Sequence, residues 1–582
     1  MKSFITLFAC FLLAVNVSAQ PDLQSRRDTI LNFFTTHDIG SNYPAATARI
    51  LDTTQRESGL AMLRELTSSV SPDIIDRFRM TASYLYVQHL VDEDQRARFA
   101  YIWEHFPTRP LQGEHEEVAY YTALYLTTRV VSDEARFFNG KNLLENQLDA
   151  RAFLLHWIKE STEVGQREFD SPTYGTIFLT AMLLLRDFSG EVDLSRRADL
   201  MAQWLLADFA HDHLNGNYCG AHAREHMLGA MQPISTDMSS ISWLYFGDGP
   251  QTYSREQLWA ALSDFVPHPA IIELATVRRE AFVSWERKRP AKRIRGGIDS
   301  GGGDVVRYTY MDPLYAIGSI PGGLIQPREQ HSWDVTWISR DPDSPATLFV
   351  MQPWSDPAAL LPFLPHEGEL SMRTVGMLDS YFDTVTKTVG GSPFEDVFQH
   401  RNTLIALYDI GKVTHFPVIA GFFPPVVDTM QIDSLHSKWI TIKSGDVYIA
   451  VRPLKPYRLV DGMFGKRFFS AEKRNGLIVQ VAGRNEIGSF NDFVKRVHAT
   501  PVDLKAFDSD VRVRYTNIFG DKMDFMFRGK RTVNEREALM PAESLFSSSW
   551  CSSVKGSGVL TVHASRGDLT IDMQKLELRS GE

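Results

Sequence analysis

Cysteine is almost missing from this chain: Cys10, Cys219 and Cys551 are the only three in 582 residues. That excludes a disulfide framework, and no cysteine pair has metal-ligand spacing. Cys219 and Cys551 are left open as a pair or as two buried thiols. A basic surplus is missing too. Against 61 Lys and Arg stand 71 Asp and Glu, a net charge of -10, which excludes bulk nucleic-acid binding because a phosphate backbone needs a basic face. Past the N-terminus there is no run of the roughly eighteen apolar residues that a membrane span needs. Phe178 to Leu185 is apolar, but Arg186 and Asp187 soon follow. No clean repeat recurs, which argues against a tetratricopeptide or similar array. At 43% hydrophobic and 23% charged residues the chain is globular in composition, and its length predicts two domains.

The N-terminus is apolar where the rest is not. Met1 and Lys2 start the chain, Phe4 to Val15 is apolar, and Val17-Ser18-Ala19 is a small-x-small cleavage site before Gln20. This pattern predicts a signal peptide over residues 1–19 and a secreted or periplasmic protein.

Residues 20–285 carry helical periodicity. Asp73 to Leu90 puts Ile74, Ile75, Phe78, Met80, Leu85 and Leu90 on one stripe, and Val118 to Leu126, Ala152 to Ile158, Ile177 to Leu185 and Ala198 to Phe209 continue the pattern. Short connections rich in Pro, Gly, Asn and Asp suggest helical hairpins closed into a toroid. At residues 286–303 a basic and Gly-rich stretch reads as a linker or solvated helix end, or else as a positive rim for an anionic polymer. From about residue 304 to 582 the period becomes two. Val305 to Tyr310, Ser332 to Ile338, Thr347 to Met351, Asn402 to Tyr408, Val447 to Val451 and Leu477 to Val481 read as strands. The expected fold class is multidomain α and β, an N-terminal (α/α) helical toroid followed by a C-terminal antiparallel β-sandwich.

Polar residues concentrate in three loops of the helical half. Glu114 to Glu117 opens a helix, where the helix dipole alone explains the glutamates but not His115. Arg167 to Tyr174 contains a cap at Ser171 and a helix-starting Pro172, which leave Glu168, Asp170 and Tyr174 unexplained. His211 to His226 holds four histidines. His222-Ala223-Arg224-Glu225-His226 spells an inverted zincin motif, but it follows the loop Asn215 to Gly220 and lacks the helix that would put both histidines on one face. No cofactor or catalytic metal is expected; a structural metal stays open at His211 and His213. Tyr218, His222 and Arg224 together suit proton abstraction beside a carboxylate. Tyr or His can move the proton, and Arg can pair with the carboxylate.

With these loops and this layout the chain resembles the heparinase II/III-like and alginate-lyase-like polysaccharide lyases. That resemblance implies β-elimination on a uronate-containing polysaccharide or oligosaccharide. It implies catalytic roles for Tyr218, His222 and Glu168, with His331 supplied by the sandwich. It implies substrate contacts from Arg224, His115, Glu114, Asp170, Tyr174 and Trp333. Glu168 departs from the lyase pattern, because paired carboxylates belong to glycoside hydrolases. Two alternatives therefore stand: a hydrolase using Glu168 with Asp170 or Glu114 on the same toroid, and a non-catalytic glycan-binding surface protein. The latter would use Trp103, Trp157 and Trp333 as sugar platforms, although tryptophans at helical spacing are usually core.

Overall fold

The computed structural model describes residues 21–108, 113–289, 305–321, 330–341, 344, 346–353, 389–411, 417–462 and 464–581. Residues 1–19, expected to be a signal peptide, and most of the Gly-rich stretch lie outside these residues. The protein is a helical toroid followed by an antiparallel β-sandwich. The helices expected from periodicity form at Ile74–Val87, Glu114–Thr127, Leu143–Val164, Gly175–Phe188 and Val192–His211. Leu143–Val164 starts where it does because Asn142 accepts from the Glu145 amide while Glu145 reaches back. Gly175–Phe188 is the innermost helix of this set, with every residue from Thr176 to Leu185 buried. No helix among the described residues is long and apolar enough to cross a membrane.

The β half begins earlier than the change of composition suggests. Glu286 to Lys288, read from sequence as the start of a linker, instead ends the strand Phe282–Lys288, whose residues alternate between buried and half-buried. Ser284, Glu286 and Lys288 face inward. The charges of Glu286 and Lys288 mislead because solvation is the usual fate of a charge run, whereas here these two are paired inside with each other and with Arg307 and Asp208.

That strand sits inside a thirteen-stranded antiparallel sheet, between Val305–Met311 and Ser544–Ser547. A six-stranded sheet covers part of it. Tyr315, Val335, Leu348 and Phe422 of the long sheet share one core with Leu404, Ile442, Ile449 and Val479 of the other, the usual way two half-buried faces are satisfied. The helix Phe490–Ala499, capped by Ser489 and apolar along Phe493 and Val497, and a five-stranded sheet cover the far face of the six-stranded sheet. The last strands turn back. Phe546, Leu560, Val562, Leu569 and Ile571 belong to the toroid's own core, so the two halves are joined by apolar packing as well as by chain.

Candidate active site

Two loops meet on the strand Phe282–Lys288 and its neighbours. The first leaves the helix Leu143–Val164 at Gly165, φ +92°. A Cβ there would sit 2.6 Å from the Arg287 carbonyl oxygen and 2.9 Å from the Lys288 Cα, so only glycine lets the turn lie against the strand. The Arg289 amide then donates to the Gln166 carbonyl at 3.0 Å. The second loop starts with a small hairpin, His213–Leu214 against Asn217–Tyr218. Asn215 and Gly216 both take positive φ, the Asn-Gly signature of a tight hairpin turn. Further on, His222 and His331 exchange two backbone hydrogen bonds of 2.9 Å, and the Ala223 amide donates to Phe169 at 3.0 Å. The toroid's two loops and the sandwich are thus laced together through backbone.

Glu168 and Asp170, two residues apart, face different surroundings. Glu168 accepts from the His115 amide at 2.9 Å and meets His115 Nδ1 at 2.7 Å, with Arg224 Nε 3.2 Å away. Burial alone would raise this carboxyl, but His115 and then Arg224 outweigh it and hold it at about 2. Glu114 lies deeper. It accepts from Trp157 Nε1 at 3.0 Å and from the Arg167 and Glu168 amides at 2.8 and 2.7 Å. Asp170 faces inward and takes Lys288 Nζ at 2.7 Å, the Tyr218 hydroxyl at 2.9 Å and Arg307 Nε at 3.2 Å.

Behind Asp170 lies a cluster of charge that the motifs did not disclose. Lys288 Nζ also reaches Asp208 at 2.8 Å and Glu286 at 3.0 Å. Arg307 pairs with Asp212 and with Glu286, the latter at 3.2 Å. His211 closes the group, 3.2 Å from Glu286. Four carboxylates thus share two permanent cations in a fully buried space. Burial, reinforced by Asp170 and Glu286 against the pull of Lys288, pushes Asp208 up to about 8. Burial likewise raises Asp212 well above the usual carboxylate range, although Arg307 works against it. Ligand atoms of His211, Asp212 and Glu286, and of Asp170, Asp208 and Glu286, lie close enough to hold a metal. Lys288 and Arg307 already supply the cations at both places. The signals in the sequence were slight: Asp208 is a lone carboxylate on the buried stripe of Val192–His211, four residues after Trp204.

The structure corrects several sequence expectations. Tyr218 and His222 are not at an open mouth. Tyr218 is 5% exposed, donates to Asp170, and shares with Glu168, Asp170, Asp208, Phe178 and Met238 the lining of a small, partly open cavity of about 20 Å³, room for about one water. Burial and Asp170 push its hydroxyl well above 10. Both ring nitrogens of His222 face backbone carbonyls, Nδ1 that of Asp170 at 2.7 Å and Nε2 that of Tyr218 at 3.0 Å. Burial, with Arg307 and His331 nearby, lowers it well below 6.5. Glu114 and Asp170, expected to touch substrate, are consumed by the partners named above. Trp333 is 1% exposed and belongs to the sandwich core. Trp103 and Trp157 are core as well. His331 faces the toroid but is buried against Phe349, its Nε2 3.6 Å from Asp334.

At the solvent-facing rim a different set converges. The Tyr174 ring stacks on His115 at 3.7 Å. Arg224 lies over the same ring, 5.3 Å from its centre, and the Tyr174 hydroxyl meets exposed His226 Nε2 at 3.2 Å. Arg224 keeps a left-handed backbone, φ +57°, a conformation that costs energy in a bulky residue. His226 precedes the helix Met227–Met231 and does not share a helix with His222.

Neither a family model nor a curated protein sequence matches this chain. Solved structures of similar layout include a heparinase and two proteins named as lyases. Heparinase III is 8% identical, with 91% of this chain and 93% of that one covered and a TM-score of 0.37. A chondroitin AC lyase variant from Streptomyces coelicolor A3 is 9% identical over 94% and 88%, with a TM-score of 0.36. A Paenibacillus xanthan lyase is 8% identical over 94% and 64%, with a TM-score of 0.44. At these scores the chemistry has to be argued from the site's own groups.

Proposed function

We propose that the protein is an exported polysaccharide lyase that cleaves a uronate-containing glycan by β-elimination. In this reading Tyr174 and His226 move the protons and Arg224 holds the uronate carboxylate. The observation that carries it is the Tyr174–His226 contact of 3.2 Å at a solvent-facing rim, directly beneath an arginine. His226 can accept the phenol proton. The phenolate then takes the proton from the carbon next to the carboxylate, the C–O bond to the leaving sugar breaks, and a C=C bond forms. The same tyrosine returns its proton to the leaving oxygen. Arg224 neutralises the carboxylate as charge builds on the adjacent carbon, where such stabilisation counts most.

The carboxylates speak against the hydrolase alternative. A glycosidase needs one carboxylic acid that still carries its proton. Glu168, held at about 2, has none to give; Glu114 is raised by burial but is turned inward onto Trp157 and two amides, and Asp170 is turned inward onto Lys288 and Arg307. Export rests on the apolar run and cleavage pattern before Gln20. Sequencing the N-terminus of secreted protein tests it; a retained Met1 would count against export. The activity is tested by incubating purified protein with acidic glycans, reading near-ultraviolet absorbance and reducing ends in parallel. Elimination raises both. Reducing ends without absorbance would replace the lyase reading with hydrolysis.

A further inference from the structure

The rim's key tyrosine is carried by a loop that the sandwich shapes. Gly165 lies on the Arg287 and Lys288 backbone, and Arg289 is bonded to Gln166 through its amide and to Gly165 through its guanidinium. Between these contacts and Tyr174 lies Asp170, a non-glycine residue at φ +51°. Its side chain ends on Lys288, Arg307 and Tyr218, and its carbonyl faces His222. Four residues later the Tyr174 amide donates to Ser171 Oγ at 3.0 Å, and that hydroxyl in turn donates to the Arg224 carbonyl at 3.2 Å. The turn at Asp170 therefore sets the direction of both Tyr174 and Arg224. Among these anchors Lys288 has a particular position. It comes from the sandwich, is 2% exposed, and binds carboxylates on the first loop, on the helix Val192–His211 and on its own strand.

We propose that Lys288 is a positioning residue for the rim: a buried cation of the sandwich that fixes the Asp170 turn and thereby sets Tyr174 against His226 and Arg224. This deepens the lyase reading and rests on it for its catalytic consequence. Lys288 does not touch substrate. Its effect passes through Asp170 to the loop.

The test uses the full chain and has one readout independent of activity. Lys288→Met leaves three carboxyl groups facing one another, so it is paired with a second variant, Lys288→Met with Glu286→Gln, which removes the one that is firmly ionised. Histidine-selective NMR, with the His226 signal assigned by its loss in His226→Gln, reports the rim in the free protein. Circular dichroism and thermal melting report the fold. The expected result is a folded double variant whose His226 signal is displaced from wild type, and whose kcat on a soluble uronate polymer falls about 10- to 100-fold while KM stays within about threefold, the pattern of a misplaced reacting group. Lys288→Arg should move the His226 signal part of the way back. A folded double variant with a wild-type His226 signal and a wild-type kcat would overturn the proposal, leaving Lys288 as a stability residue only. The two readings fail separately: full activity in Tyr174→Phe would remove the lyase assignment at this rim, yet a displaced His226 signal would still place Lys288 beneath it.

Discussion

Glu168 and Asp170 stand two residues apart on one loop, are both buried, and meet opposite electrostatics. Glu168 faces the mouth, where one carboxylate meets His115 and Arg224. It is outnumbered by donors and stays ionised. Asp170 faces the interior, where it joins Asp208, Asp212 and Glu286 around Lys288 and Arg307. There the carboxylates outnumber the permanent cations, and part of the excess charge is removed by protons, as the raised Asp208 and Asp212 show. Burial is common to both places, so partner count decides the protonation state. The first arrangement presents an arginine and a tyrosine to solvent; the second fastens the toroid to the sandwich.

The sharpest way to separate the two is to remove one hydroxyl from each. Tyr174→Phe should lower kcat by about two to four orders of magnitude with the melting temperature unchanged, because a proton-moving group is lost and no packing is. Tyr218→Phe removes only a hydrogen bond to Asp170 and should cost about 1 kcal/mol of stability, with kcat far closer to wild type. If Tyr218→Phe were the variant that lost activity, the interior would be the active site and the rim assignment would fall.

How far the sequence reached follows the same division. Helices and strands are legible where a period of 3.6 survives in a half-buried helix such as Val192–His211, or where a short apolar run such as Thr347–Met351 forms a buried strand. The three polar loops were also legible, since Glu168, Tyr174 and Arg224 stand outside the apolar stripes of the neighbouring helices. Orientation was not. Tyr218 and His222 are the right residue types, but whether a loop residue faces solvent or interior depends on backbone turns such as φ +57° at Arg224, which composition does not encode. Lys288 was hidden for the opposite reason. In a run of charges, the one that is paired inside looks like those that are solvated.

The next largest effect belongs to the interior. Lys288→Met should destabilise the fold by about 3–5 kcal/mol, the usual result of stranding buried charges. Adding Glu286→Gln, which removes an ionised partner of Lys288, should recover part of that loss in urea unfolding. A single variant as stable as wild type would mean that water or rearrangement already screens the cluster, and that the contrast with the rim is shallower than its geometry implies.

Glu168→Gln should be milder for catalysis and still informative. The amide keeps one acceptor but turns a second donor toward His115 and Arg224, leaving a buried polar mismatch of about 1–3 kcal/mol. Activity should fall without vanishing, because Glu168 only aligns Arg224 and His115. Complete loss, with Arg224 still able to bind a uronate monosaccharide, would restore the hydrolase alternative.

The smallest effect is a difference in slope. Glu168 is held at about 2 against an ordinary 4.5. A depressed carboxyl contributes stability that is present above pH 4.5 and is lost as pH falls from there toward 2. Asp208 does the reverse. Pushed up to about 8 from 3.8, it keeps a proton in the folded state that the unfolded chain has already released. Its contribution is fully present below pH 3.8 and declines as pH rises toward 8. Unfolding free energies measured across this range should therefore show Glu168→Gln flattening the acid limb and Asp208→Asn flattening the decline between about pH 4 and 8, each leaving the other limb in place. If one substitution flattened both limbs, the two carboxylates would titrate as a single network through Asp170, and the separation between rim and interior would be one of position alone.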